Sequence, residues 1–413
     1  MEKLAIFGGD KVKTTPFGTG KRFGDEELQQ LKEALEQNTL FYWFGNKVKQ
    51  FLDKFKTMYG AEYAVATSSG TSAIHVALGA AGVGPGDEVI TSPITDMGSI
   101  IGIVFQNAIP VFADLDPHTY NMTAETIAAK ITDKTKAVVV VHLAGNPAEM
   151  DPIMELCRPR GIKVIEDCAQ SYECFYKGRR AGTIGDFGCF SLNDFKHISA
   201  GDGGMILMHN EEDYVVAHKF ADKNYNRFSK NPQELRKIEY IAPNYRMNEL
   251  TGAVAIAQLD RLPWICERRN VLGERLTAGI KDLPGIQIHE VKEGNKSSYW
   301  FYMFRIDEKA AGVNRADFAA ALTAEGIPAS VGYLPACVYE YDMFKNLEGF
   351  RGTHVPFNLP EYGREIKYAS GDCPVAEEIL ETSIRLNISE FYTEQDIDDI
   401  IHAFKKICAH YAK

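Results

Sequence analysis

From about residue 60 the chain alternates short runs of β-branched and apolar residues with stretches of helical periodicity, the pattern of a parallel sheet wound with crossover helices. The runs are Tyr63 to Ala66, Glu88 to Thr91, Pro110 to Ala113, Ala137 to Val141, Lys163 to Glu166 and Met205 to Met208. Val138-Val139-Val140-Val141 is apolar without alternation, as a strand covered on both faces must be. Helix starts are marked by Ser72 before Ala73 to Ala81, by Thr123 before Ala124 to Ile131, and by Asp151-Pro152 before a segment ending at Arg160. Ahead of the sheet, Asp25 to Gln37 and Lys47 to Tyr59 predict two amphipathic helices around the aromatic loop Phe41-Tyr42-Trp43-Phe44-Gly45. A long helix is expected from Asn248 through Cys266 to Lys281, closed by the turn Asp282-Leu283-Pro284-Gly285.

Beyond that turn the pattern becomes a smaller α+β unit, with a strand at Trp300 to Ile306, a helix at Arg315 to Glu325 and a final helix at Glu394 to Tyr411. Cys337 to Cys373 has weak periodicity and reads as long loops. The expectation is therefore an α/β protein in two units: residues 1–275, with an N-terminal arm and a large sheet, and a small C-terminal unit, residues 276–413.

Composition narrows the partners. At 413 residues the chain exceeds what one core usually supports, which agrees with two units. A formal net charge of -11 without a basic stripe argues against nucleic acid or an anionic membrane. Met1-Glu-Lys-Leu-Ala-Ile-Phe-Gly-Gly lacks a signal-peptide pattern, and no apolar run approaches the roughly 18 residues of a membrane span, so a cytoplasmic protein is expected. The eight cysteines show no CxxC or zinc-type spacing and read as reduced and structural; Cys168 and Cys174 fall near the chemistry but have no activating base beside them.

A wound α/β layer presents its functional loops at the carboxyl ends of its strands. Four clusters fall there. Thr67-Ser68-Ser69-Gly70-Thr71-Ser72 follows a strand and opens a helix, where small residues and the helix N-terminus could hold a phosphate; a capped helix start reads equally well. Ile165-Glu166-Asp167-Cys168-Ala169-Gln170 runs a strand into an acid whose burial requires a partner, such as a protonated pyridine nitrogen, or which simply caps a helix. Phe190-Ser191-Leu192-Asn193-Asp194-Phe195-Lys196-His197, followed by Gly201-Asp202-Gly203-Gly204, sets a lysine where burial could free its amine as a nucleophile. Pro243-Asn244-Tyr245-Arg246-Met247-Asn248 by itself is an ordinary helix entry.

Taken in order, Ser69-Gly70-Thr71, Glu-Asp-x-Ala-Gln at 166–170, Gly182-x-x-Gly185-Asp186, Phe190-Ser191 with Lys196, Gly201-Asp202-Gly203-Gly204, and Asn244-Tyr245-Arg246-Met247 with Gln258-Leu259 resemble the sugar aminotransferases of the DegT, DnrJ and StrS type. The resemblance covers roughly residues 25 to 275. It implies a fold type I pyridoxal-phosphate enzyme: a mostly parallel seven-stranded sheet wound by helices, a homodimer, and active sites at the subunit interface. It also implies Lys196 as the Schiff-base lysine, Asp167 opposite the pyridine nitrogen and Gln170 near the ring hydroxyl. Ser69, Gly70, Thr71 and Ser191 would hold the phosphate, and Asn244 would reach it from the neighbouring subunit. The expected reaction moves an amino group from glutamate or glutamine to a keto-sugar or ketocyclitol by a ping-pong route.

The sequence also departs from the family. Where an aromatic residue usually covers the cofactor ring, the chain reads Pro93-Ile94-Thr95-Asp96-Met97-Gly98, so either Met97 or another residue takes that place or Asp96 brings a carboxylate to the substrate. Tyr172-Glu173 replaces the usual His-Gly and leaves the substrate-side contacts open. Tyr42, Trp43 and Arg246 are further substrate candidates, though aromatics in such a loop also suit a dimer interface, and His142 and Arg385 read as structural before functional. Two rivals remain: a keto-sugar dehydratase on the same scaffold, whose members carry histidine in place of the lysine, and a cofactor-binding regulator without turnover.

Overall fold

The computed structural model describes residues 2–411. Met1, where the expected N-terminal arm starts, and residues 412–413, where the expected small unit ends, lie outside the described residues. Two helices, α1 (Asp25–Glu36) and α2 (Lys47–Tyr59), precede a seven-stranded sheet. Its strands are β1 (Tyr63–Thr67), β2 (Glu88–Thr91), β3 (Ile109–Phe112), β4 (Thr135–Val141), β5 (Lys163–Asp167), β6 (Phe187–Ser191) and β7 (Gly204–Met208). They lie in the order β1-β7-β6-β5-β4-β2-β3. Only β7 runs against its neighbours, pairing antiparallel with β1 and β6, while the other pairs are parallel. Helices α3 (Gly70–Ala80) and α4 (Gly98–Phe105) follow the first two strands.

The continuous apolar run of β4 has the explanation the sequence suggests. Val138 and Val140 pack into one buried cluster with Ile90, Ile153 and Tyr339. Ala137 and Val139 pack into another with Ala73, Val76 and Ala77 of α3. Alternate residues serve opposite faces, so both must be apolar.

Some expected boundaries move. The cap of α3 is Ser69, whose hydroxyl accepts from the Ser72 backbone, while the Ser72 hydroxyl accepts from the Ser69 backbone; Ser72 is thus the third residue of the helix in a reciprocal box. The strand expected from Trp300 begins at Tyr302, and β6 was not among the expected runs. Residues 337–373 hold a short helix, Asp342–Lys345, and bury Tyr339 and Phe344 in the core despite their weak pattern.

Helix α5 (Glu249–Ile280), with Asn248 as its cap, runs between two buried clusters. Its first half packs Leu259 and Leu262 against α2; its second half sends Leu272, Leu276 and Ile280 into the C-terminal core. That core covers a four-stranded antiparallel sheet of β8 (Ile286–Ile288), β9 (Tyr302–Ile306), β10 (Ala329–Val331) and β11 (Ser383–Leu386), with the final helix α6 (Glu394–Tyr411). The N-terminal segment packs here too: Leu4 is fully buried in this cluster, and Lys13 pairs with Asp396 at 2.6 Å. No helix among the described residues is long and apolar enough to cross a membrane. The eight cysteines are buried and free of disulfides.

Candidate active site

At the carboxyl ends of β1, β5 and β6, Ser69, Gly70, Thr71, Asp96, Asp167, Gln170, Ser191 and Lys196 line one cavity of about 230 Å³. Four clusters spread over 130 residues of sequence supply them, because the sheet order brings β1, β6 and β5 together around the antiparallel β7.

One end of the cavity is made by closeness. A Cβ on Gly70 would lie 2.7 Å from the Ser191 Cβ, and one on Gly204 would lie 2.2 Å from the Ser69 carbonyl oxygen, so neither position tolerates a side chain. The first N–H groups of α3 have no partner within the helix and face this end with the positive pole of its dipole. Ser191 is fixed from behind by Tyr172, whose buried hydroxyl donates to the Ser191 carbonyl at 2.9 Å.

Asp167 ends β5, buried in the cavity wall. It accepts from the Ser99 hydroxyl at 2.6 Å and from the Ala169 N–H at 3.0 Å, and Thr95 Oγ1 lies 2.6 Å from the Ser99 hydroxyl. Burial nevertheless pushes its pKa up, because these two donors are neutral and no cation touches it. The residue before it, Glu166, faces the other way and is fully buried. It accepts from His142 Nε2 at 3.0 Å and from the N–H groups of Gly182, Ile184 and Gly185, which against the opposing effect of burial hold its pKa down. The Gly182-x-x-Gly185 motif thus serves a buried carboxylate rather than the cavity. Gln170 accepts from the Ala144 N–H and donates to the Tyr333 hydroxyl at 3.2 Å.

Lys196 sits on the loop joining β6 to β7, which is closed at its base by Leu192 N–H donating to the Gly203 carbonyl at 2.8 Å. Burial lowers its pKa, opposed by the charges of Asp167 and Asp96. His197 is fully buried and turned away, its Nε2 on the Ser298 carbonyl at 3.0 Å, and burial drives its pKa well down.

Asp96 is exposed within the cavity, one oxygen accepting from the Gly98 N–H at 2.8 Å, while Met97 packs into the core. Tyr172 and Glu173 do not face the cavity: Tyr172 is buried behind Ser191, and Glu173 pairs with Arg180 at 2.8 Å. His142 is fully buried on Glu166, and Arg385 lies on β11 over Phe301. Cys168 and Cys174 are buried thiols whose pKa is pushed well up.

Tyr42, Trp43 and Arg246 lie elsewhere, around a second cavity of about 530 Å³. There the buried Asp222 accepts from Tyr42 Oη at 2.9 Å, Arg246 Nη1 at 2.6 Å and Arg227 Nε at 2.6 Å. Asn244 is exposed and bridges to Asp222, so within one chain it stands with this group and not with Lys196.

Ser99 lines the first cavity, Tyr333 bonds Gln170 and Trp300 lies against Lys196 Nζ; none of the three was among the expected residues. Ser99 lies just past the Pro93 to Gly98 segment that drew notice. The other two arrive from the C-terminal unit, where local pattern carries no trace of Lys196.

This geometry has known counterparts. The model of the DegT/DnrJ/EryC1/StrS aminotransferase family matches residues 21–358. The chain belongs to that family. Among curated relatives, it is 33% identical over 392 residues to the spore coat polysaccharide biosynthesis protein SpsC of Bacillus subtilis, covering 93% of this chain and 95% of that one. It is 30% identical over 417 residues to a putative L-glutamine:3-amino-2,3-dideoxy-scyllo-inosose aminotransferase of Micromonospora echinospora, covering 98% and 97%. Among solved structures, an aminotransferase from Psychrobacter cryohalolentis superposes with a TM-score of 0.83 at 29% identity, covering 96% of this chain and 100% of that one.

The fold is that of the fold type I pyridoxal-phosphate aminotransferases, and the protein is such an enzyme. Its residues fit the cofactor. The close approach of Gly70 to Ser191 brings the α3 N-terminus to the cavity wall, where its N–H groups suit a phosphate; Asp167 lacks a cation that a pyridinium would supply, and Lys196 is a half-buried amine in the same cavity.

Proposed function

We propose that this aminotransferase moves an amino group from glutamate or glutamine to the ketone of a sugar or cyclitol, in two half-reactions sharing one site. The observation that carries the reading is the convergence of Lys196, Asp167 and the Gly70-Thr71 cradle on one cavity. Relatives named for amino transfer to an inosose, and a GDP-perosamine synthase of Escherichia coli O157:H7 at 34% identity over 285 residues, support the acceptor class.

In this reading Ser69, Gly70, Thr71 and Ser191 hold the phosphate, Asp167 faces the ring nitrogen and Gln170 the ring hydroxyl. The cofactor, when bound, supplies an electron sink for the carbon being deprotonated. Lys196 would bond the cofactor in the resting enzyme. Once displaced by the donor amine, its Nζ takes the proton from the donor α-carbon and gives it back on the far side of the transfer. Asp96, exposed beside Lys196 with one oxygen unengaged by the turn, faces the acceptor.

A homodimer belongs to the proposal. It would set Asn244, Tyr42, Trp43 and Arg246 of one chain against the Lys196 cavity of the other, which accounts for their distance from Lys196 within one chain. Trp43, Phe44 and Ile241, 39%, 75% and 96% exposed, supply apolar surface for such a contact. The division into a large unit up to about residue 275 and a smaller one after it, with residues 4–17 packed on the smaller, is part of the same reading. A cytoplasmic setting is supported by the free buried cysteines.

The test is spectroscopic. The purified enzyme should absorb in the visible, and glutamate or glutamine should bleach that band; keto-sugars and inososes are then screened for its return. Lys196→Ala should abolish both changes. A band that persists through both donors would favour a regulator without turnover and end this reading. The dehydratase alternative needs a histidine where Lys196 stands, and the adjacent His197 is buried on the Ser298 carbonyl.

A further inference from the structure

The backbone around Lys196 is gripped by residues from outside the large sheet. Trp300 Nε1 donates to the Phe195 carbonyl at 2.7 Å, and Arg22 donates to the carbonyls of Lys196, at 2.6 Å, and of Asp194. Trp300 is itself held. Its carbonyl accepts from Arg269 at 3.0 Å, its N–H donates to the Ala144 carbonyl, and its ring meets Tyr333 edge-on, with centroids 6.3 Å apart. The face of the indole is thereby presented to the lysine: Lys196 Nζ lies 4.0 Å from the ring centroid.

An ammonium over an indole face is attracted by the ring's negative quadrupole, most strongly where water is scarce; a neutral amine is not. We propose that Trp300 is a positioning residue that seats the Lys196 amine in its protonated form while the cofactor is bonded to a substrate nitrogen instead. This rests on Lys196 being the cofactor-bonding lysine. In that interval Nζ has accepted the donor's α-proton and must keep it in place until it is returned.

The other ionisable groups around the amine leave this role open to Trp300. Asp167 and Asp96 favour the proton electrostatically, but among the described residues neither is in ion-pair contact with Nζ: Asp167 accepts from Ser99 and one Asp96 oxygen from the Gly98 N–H. Burial works against the charge. Arg22 is engaged on main-chain carbonyls, Arg269 on Glu390 at 2.7 Å, His197 on Ser298, and the Tyr333 hydroxyl on Gln170.

The experiment uses full-length enzyme stripped of cofactor. The rate at which added pyridoxal phosphate bonds to the protein, followed by absorbance across pH, rises as Lys196 loses its proton. Trp300→Leu removes ring face and N–H together; Trp300→Phe loses the N–H but keeps a ring face, smaller and less attractive to a cation than the indole. The expected result is an inflection about one pH unit lower in Trp300→Leu, from a cation–π contribution of that size, and a clearly smaller displacement in Trp300→Phe. An unchanged inflection in Trp300→Leu would overturn the proposal, as would equal displacement in both variants, which would reduce Trp300 to a backbone anchor.

If Trp300→Leu does not fold, the emission of Trp300 in a Trp43→Phe, Trp264→Phe background should titrate with the same inflection and lose that titration in Lys196→Met. Emission that does not titrate sinks the idea. Lys196→Met bonding cofactor at the wild-type rate would instead sink the assignment of Lys196 itself, so the two failures are distinguishable.

Discussion

Asp167 is a buried carboxylate whose hydrogen-bond donors, the Ser99 hydroxyl and the Ala169 N–H, are neutral. Its raised pKa means that the folded, cofactor-free protein holds the proton more tightly than the unfolded chain does. That contribution to stability is complete below the ordinary carboxylate pKa and is lost as pH rises through the folded value. Asp167→Asn should therefore stabilise the cofactor-free enzyme at neutral pH, since an amide can still meet Ser99 and the Ala169 N–H, while abolishing amino transfer. Thermal melts at pH 4 and pH 7.5 check it, and the gain should appear only at the higher pH. Residues such as Asp167 and Lys196 were legible because each sits in a short motif tied to a strand end. Trp300 and Tyr333 were not, because they act on residues more than 100 positions away. Tyr172 and Glu173 misled for a related reason: next to a motif in sequence, they point into the core in space.

Elements were legible where burial imposes a period. The strands on both sides of β4 and the ends of α2 and α6 fall where the apolar pattern places them. A strand was expected before the Lys196 loop but its bounds were not legible, because Phe187-Gly188-Cys189 is poor in β-branched residues; its glycine is required by contact, since a Cβ on Gly188 would lie 2.0 Å from the Gly182 carbonyl oxygen. The start of α2 shows a cap that no local pattern could reveal. Asn46 makes no cap bond, and the buried Glu249 of α5 instead accepts from the N–H groups of Lys47 at 2.6 Å and Val48 at 3.1 Å. Glu249→Ala should cost about 2 kcal/mol by uncapping a helix and leaving buried donors unpaired, and urea unfolding would measure it. A loss below a few tenths of a kcal/mol would mean that water takes over the cap.

At the scale of the molecule, the second cavity and the exposed aromatics beside it invite a second copy of the chain. Phe44→Glu places a charge on an apolar surface that a dimer would bury, and should shift the protein toward monomer in sedimentation velocity and reduce amino transfer in parallel. Activity that survives in a monomer would detach the site from the interface. The closed loop between β6 and β7 has a different kind of consequence. Asp167 and Cys189 are paired across β5 and β6, and the lysine loop leaves β6 only two residues beyond Cys189. Acid and amine are thus registered by one backbone ladder, and a slip of one residue would turn the acid to the opposite face of the sheet. No partly assembled chain can offer both at once. On the proposed roles of Asp167 and Lys196, capture of the cofactor would report that the central strands have locked into register, and a nascent or damaged chain would stay colourless until they do.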